Sequence, residues 1–165
     1  MDWRGPTYRT VDGERIDGAW CHVWWRNHHD DQYFLDDLVV FGGRTYPSVL
    51  HAYWALSAAD PADHDRIRDA EEGRAAQELG GRVARRADWH RMRVAVMGAL
   101  LEAKFTQHPE LAEVLLATGD SVIGYTGFTD SPFWRDVPDQ RGRNWMGRLL
   151  ELTRAKLVAG PLLPD

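Results

Sequence analysis

Residues 88–119, DWHRMRVAVMGALLEAKFTQHPELAEVLLATG, decide the fold class. From Asp88 onward the apolar residues Val94, Met97, Leu101 and Phe105 recur at steps of three, four and four, the spacing of one helical face. Pro109 then opens a second helix, with Leu111, Val114 and Leu115 inward and Gly119 as its C-terminal stop. Two amphipathic helices joined with almost no loop point to a helical protein.

Working outward, Asp60 before Pro61 is an N-cap and first-turn pair. It predicts a helix running through ADHDRIRDAEEGRAAQEL and stopping at Gly80 and Gly81. TYPSVLHAYWALSA, Thr45 to Ala58, reads as a tight start to a helix whose face is aromatic and apolar, with His51 its only titratable group. Before it, DDLVVFGGRTY reads as a strand, a Gly-Gly turn and a second short strand. Met146, Leu149, Leu150, Thr153 and Leu157 form a last amphipathic stripe, followed by the tail VAGPLLPD. No repeat or long linker divides the chain. The expected fold is therefore mainly α, a single multihelical domain with a small N-terminal β-hairpin. The expected boundaries are an extension over residues 1–34, a domain over 35–158 and a tail over 159–165.

Composition narrows the function. A chain of 165 residues with 44% hydrophobic and 27% charged residues is an ordinary globular sequence of one-domain size. Its net charge of -5 argues against general binding to bare nucleic acid, which needs clustered Lys and Arg. Cys21 is the only cysteine, so no disulfide framework or thiolate metal cluster forms within one chain. MDWRGPTYRT lacks the apolar core of a signal peptide, and no stretch approaches the ~20 apolar residues of a membrane span. A cytoplasmic protein without membrane contact is expected.

Several motifs fail on their spacing. His28, His29, Asp30 and Asp31 have metal-ligand chemistry, but adjacent side chains diverge and no second cluster completes a site, so no metal is expected. Neither a phosphate-binding Gly-Lys-Ser/Thr loop, a dinucleotide fingerprint nor a Gly-x-Ser-x-Gly elbow is present. What stands out is eight tryptophans, among them Trp54, Trp89, Trp134 and Trp145 in the helical part. Any one of them serves either as core or as a stacking platform. Trp134 lies in the Pro-containing loop TDSPFWRD beside Asp130, and an indole face can stack on a planar base. Asp130 with Trp134 is the first local site expectation.

The order of segments resembles a known family. AAQELGGRVARRADW, VMGALLEAKFTQHPELAEVLLATGD, the Asp130 to Trp134 loop and GRNWMGRLLELTR together resemble the YbiA-like, or NADAR, superfamily, over about Leu35 to Leu157. YPSVLHAYWA resembles that family's Pro-Thr-Val-Glu-His helix start. The resemblance implies a mostly helical domain that hydrolyses N-glycosidic bonds without metal or cofactor. The implied substrates are small and nucleotide-like, either ADP-ribosyl or phosphoribosyl, and ADP-ribosylated nucleic acid is among them. Such chemistry needs carboxylates that steady an oxocarbenium-like charge and activate water.

Carried over position by position, the match retains Trp89, Lys104, Phe105, Thr118, Gly119, Asp130, Trp134, Gly142, Asn144, Gly147 and Arg154. Structural roles compete: Lys104 can snorkel from its helix, Asn144 can cap the last one, and Gly147 can be a close packing point. Arg143 and Arg148, with Arg154, can contact phosphate or form a solvated stripe. The departures are as informative. Leu50 stands where the family has its helix-start glutamate, and Tyr125 where a second glutamate is usual. Asp36, Asp37 and Leu38 replace a Ser-Asn-Phe element, Arg135 follows Trp134 in place of glycine, and Ser57 replaces a lysine.

The expected catalytic groups are therefore Asp130 and His51, with Asp36 and Asp37 in support. Trp89, Trp134, Asn144, Lys104, Tyr125, Leu50 and Arg143 are the expected substrate contacts. Two other functions fit the loss of both glutamates: an inactive ADP-ribose or nucleotide-binding module, and a secondary-metabolism enzyme acting on another heterocycle.

Overall fold

The structure is a computed structural model. It describes residues 38–120, 122–125, 131–135 and 143–161, together with the backbone of two short strands near the N-terminus. In chain order the elements are β1 (Thr7–Arg9), β2 (Arg15–Asp17), β3 (Val39–Phe41), β4 (Arg44–Tyr46), α1 (Val49–Ser57), α2 (Pro61–Arg68), α3 (Gly73–Arg82), α4 (Trp89–Gln107), α5 (Pro109–Leu116) and α6 (Trp145–Ala159). The fold is mainly helical, as the periodicity implies. The chain divides into two compact units, Val23–Gln107 and a second made of Met1–His22 with His108–Asp165.

In the first unit, β3 and β4 pair antiparallel, Val39 opposite Tyr46 and Phe41 opposite Arg44. Gly42 and Gly43 take φ of 60° and 75°, the left-handed pair that a two-residue hairpin turn demands and that side chains resist. The outward backbone groups of Val40 are taken by one side chain. Gln107 accepts from its N–H at 2.8 Å and donates to its carbonyl at 2.9 Å.

Helix α1 is the centre of this unit and packs on α2, α3 and α4. Seven of its nine residues are buried, because VLHAYWALS is apolar nearly all round and a helix of that kind is stable only inside. Helix α2 starts as predicted, Asp60 Oδ1 accepting from the Ala62 N–H at 2.7 Å with Pro61 in the first turn. The single helix expected from Asp60 to Gly80 is instead two, broken over residues 69–72.

The break has a geometric cause. Ile67 and Ala76 are both buried. Nine residues at about 3.6 per turn are two and a half turns, so a straight helix would aim them in opposite directions. Breaking the chain lets both face inward. Helix α3 also runs through Gly80 and Gly81 to Arg82. Gly80 is there for contact, since a Cβ would sit 2.5 Å from Trp54 Cε3. Beyond α3, the Ala59 N–H donates to the Ala84 carbonyl and the Arg86 N–H to the Ser57 carbonyl, both at 2.9 Å.

In the second unit, β1 and β2 form an antiparallel pair, and α5 packs on α6. Helix α5 starts at Pro109 and buries Leu111, Ala112 and Leu115. Gly119, at φ 57°, follows its end as expected, while Thr118 donates its hydroxyl to the Leu115 carbonyl at 2.6 Å. Helix α6 buries Met146, Gly147, Leu149, Leu150 and Thr153, closely matching the predicted stripe. Among the described residues no helix is long and apolar enough to cross a membrane.

Candidate active site

The start of α1 is built by its N-cap. Ser48 Oγ accepts from the His51 backbone N–H at 3.2 Å, satisfying a donor left open at every helix start. The same hydroxyl lies 2.7 Å from His51 Nδ1, and His51 Nε2 lies 3.2 Å from the Ala70 carbonyl. A carbonyl only accepts, so Nε2 carries the proton and Nδ1 accepts from the serine hydroxyl. Burial holds the imidazole neutral, pushing its pKa down to about 4 against a smaller opposing effect of the Ala70 carbonyl. His51 thus ties the first turn of α1 to the break between α2 and α3.

Leu50 is 3% exposed and Tyr53, one turn on, is also buried. The Tyr53 ring packs on Trp89 at 5.1 Å between centroids and edge-on against Trp54 at 5.5 Å. Arg85 stacks over the far ring, its guanidinium carbon 5.0 Å from the Trp54 centroid. Lys104 is 1% exposed in the last turn of α4, where its charge complements the carbonyl end of the helix. It does not snorkel to the surface. In this unit the position where the resemblance expects an acid is therefore a buried apolar side chain, Leu50.

In the second unit the organiser is Asn144. It precedes α6 in the left-handed region, at φ 51°, and its side chain makes no cap bond. The amide instead donates to the Ile123 carbonyl at 2.7 Å and accepts from the Tyr125 N–H at 3.0 Å, as a neighbouring strand would. Glu151 accepts from the Ile123 N–H at 2.6 Å. Gly147 makes room for this clamp: a Cβ there would collide with the Ile123 carbonyl and lie 2.5 Å from Asn144 Nδ2. Tyr125 is fully buried.

The turn bearing Trp134 is fastened to the same helix start. The Trp145 N–H donates to the Phe133 carbonyl at 3.3 Å and the Met146 N–H to the Trp134 carbonyl at 3.1 Å. Phe133 meets Trp134 edge-on at 4.9 Å, and the Arg143 guanidinium lies over Phe133 at 5.8 Å. Arg148 lies over Trp145 at 5.2 Å, and Arg154 donates to the Thr118 hydroxyl. Both arginines of the α6 stripe therefore have work within the fold.

Of the expected site residues, Leu50, His51, Trp89 and Lys104 belong to the first unit, and Tyr125, Trp134, Arg143 and Asn144 to the second. Asp130, Asp36, Asp37 and Gly142 lie outside the described residues, as do Cys21 and the His28 to Asp31 cluster. Among the described residues no group of three or more His, Cys, Asp or Glu could hold a metal ion. Sequence reasoning missed Ser48 and Glu151. Serine three residues before His51 is N-cap spacing and carried a signal; Glu151 acts on a backbone group 28 positions away and carried none.

Comparison with known proteins adds the lineage. The NADAR domain profile matches residues 19–158. A riboflavin biosynthesis protein of Vibrio vulnificus is 34% identical over 133 residues, covering 79% of this chain and 36% of that protein, so the chain spans about a third of its length. The N-glycosidase YbiA of Shigella boydii is 31% identical over 118 residues, covering 70% of this chain and 73% of the relative. The NMR structure of the Escherichia coli protein YbiA superposes with a TM-score of 0.69 at 28% identity, covering 82% of each chain. With a profile match over most of its length and a fold shared with YbiA, the chain belongs to the NADAR family.

Proposed function

We propose that the chain is an N-glycosidase-type hydrolase cleaving the bond between a base or amine and a ribose, on an ADP-ribosyl or phosphoribosyl substrate. The family match over residues 19–158 carries this reading. The names of two relatives, an N-glycosidase and a riboflavin biosynthesis protein, support it. In the reaction the C–N bond breaks as positive charge builds on the anomeric carbon. Water adds its hydroxyl there and its proton ends on the leaving base or amine. No redox group or metal is called for.

Asp130 is the carboxylate assigned to activating water or steadying the charge, on sequence grounds. His51 is assigned to positioning rather than proton transfer. With burial holding its pKa at about 4 and both ring nitrogens bonded within the fold, it stays neutral at pH 7 and holds the start of α1 in place. Trp89 and Trp134 suit the base, and Lys104 and Arg143 suit ribose or phosphate oxygens. Leu50 and Tyr125 stand where the resemblance expects glutamates, and Asn144 fixes the backbone on which Tyr125 sits.

The test is release of free base, read by mass spectrometry, from ADP-ribose conjugates and ribosylated bases. Wild type is expected to release base and Asp130→Ala to fall by roughly a hundredfold or more. Unchanged turnover in Asp130→Ala overturns the assignment. The burial of Leu50 favours a second reading, a nucleotide-binding module without catalysis. A carboxyl at this dry position would have a raised pKa, as a general acid requires. Binding without release in wild type, with release appearing in Leu50→Glu, would select that reading.

A further inference from the structure

A groove of about 320 Å³ opens at the opposite end of α1 from Leu50 and His51, and a short backbone ladder frames it. After Ser57 the chain runs extended, with ψ of 138° at Ala58 and 132° at Asp60. The Ala59 N–H donates to the Ala84 carbonyl and the Arg86 N–H to the Ser57 carbonyl, so Ala58 and Arg85 face each other in an antiparallel bridge. One backbone frame thus carries both Asp60 and Arg86, and both line the groove. Its floor is apolar, formed by Ala55, Leu56 and the alanines that follow α1.

The polar groups of the rim are unequally committed. Arg44 is compensated by Asp65 at 3.1 Å. His64 has both ring nitrogens engaged, Nε2 lying 3.1 Å from the Tyr46 hydroxyl and Nδ1 3.1 Å from Asp65 Oδ1. Among the described residues the Arg86 guanidinium has no hydrogen bond or ion pair. Asp60 spends Oδ1 on the Ala62 N–H and keeps its second oxygen. What the groove has left to offer is one cation, one carboxylate oxygen and an apolar floor. The two charges balance, so the rim suits neither a plain anion nor a plain cation. We propose that it binds a free aliphatic α-amino acid. One carbon of that molecule carries the three complementary groups: a carboxylate for Arg86, an ammonium for Asp60 and a hydrocarbon side chain for the floor. The volume is at the low end of small-ligand sites, as a molecule of this size requires.

This inference is independent of the hydrolase reading, since none of its residues is assigned to that reaction. The experiment is an amide NMR titration of the full chain with leucine and with three molecules that each lack one of its groups. Isocaproate lacks the ammonium, isopentylamine the carboxylate and glycine the side chain. Saturable shifts confined to residues 55–64 and 84–87 are expected with leucine, and each of the others should bind at least roughly tenfold more weakly. Arg86→Ala should weaken leucine binding by roughly tenfold and leave isopentylamine unaffected. Asp60→Asn keeps a capping oxygen, and should weaken leucine to a similar extent without weakening isocaproate. A misfolded variant would lose all ligands alike, so these paired results separate a lost contact from a lost fold. No saturation, shifts centred elsewhere, isocaproate or glycine bound as tightly as leucine by wild type, or unchanged leucine binding in Arg86→Ala would each overturn the proposal.

Discussion

Helices α1 and α6 begin in contrasting ways. At α1, Ser48 caps the backbone with the oxygen that also orients His51, so one hydroxyl serves helix and histidine together. At α6, Asn144 occupies the cap position in a left-handed conformation and turns its amide away from the helix, onto residues 123 and 125. Position relative to a helix therefore does not fix what a capping-type residue does. What decides is where unpaired backbone lies nearby: the helix's own first turn in one case, an extended segment in the other.

The contrast can be broken most severely at Gly147. Adding one methyl drives the Asn144 amide off the extended segment, so Gly147→Ala should cost about 3 kcal/mol or more. Thermal unfolding would read this as a fall of several degrees or as loss of the folded protein. A wild-type melting temperature would mean that the clamp has slack.

The α1 side is sharpened by pH. His51 falls from its ordinary 6.5 to about 4 on folding, so the unfolded chain binds more protons between those values. Its contribution is complete above about pH 6.5 and is lost as pH falls toward about 4, amounting to about 3 kcal/mol. Urea midpoints measured from pH 7 to 4.5 should fall more steeply for wild type than for His51→Gln. Parallel slopes would place the histidine in a wetter setting.

Asn144→Ala should follow at about 2–3 kcal/mol, because it strands a carbonyl and an N–H and leaves a non-glycine residue at positive φ. Asn144→Gly, which relieves the conformation but not the lost bonds, should recover part of that in the same assay. Asp60→Ala removes an ordinary cap and should cost only about 1 kcal/mol. A larger loss there would erase the distinction between a plain cap and the two more committed ones.

Much of the fold was legible because its signals are local. The Gly-Gly turn, the Asp60-Pro61 start, Pro109 and Gly119 each act on their immediate neighbours, and each stands where the sequence implies. The broken helix was not legible. It depends on Ile67 and Ala76 sharing one interior, and the passage of α3 through Gly80 depends on Trp54, 26 positions earlier. Leu50, an apolar residue where the resemblance expects an acid, could be read directly from the sequence, whereas the commitment of His51 could not. That commitment requires the Ala70 carbonyl, which the break between α2 and α3 supplies.

The pairing of Gln107 with Val40 has a consequence for how the protein keeps its own company. In β3 the Val40 N–H and carbonyl face away from β4, forming the short edge onto which a strand of another molecule could add. One glutamine at the end of α4 occupies both groups, plugging that edge with an amide that cannot propagate a sheet. That edge of the hairpin is thereby closed to strand addition, a safeguard against aggregation in a crowded solution.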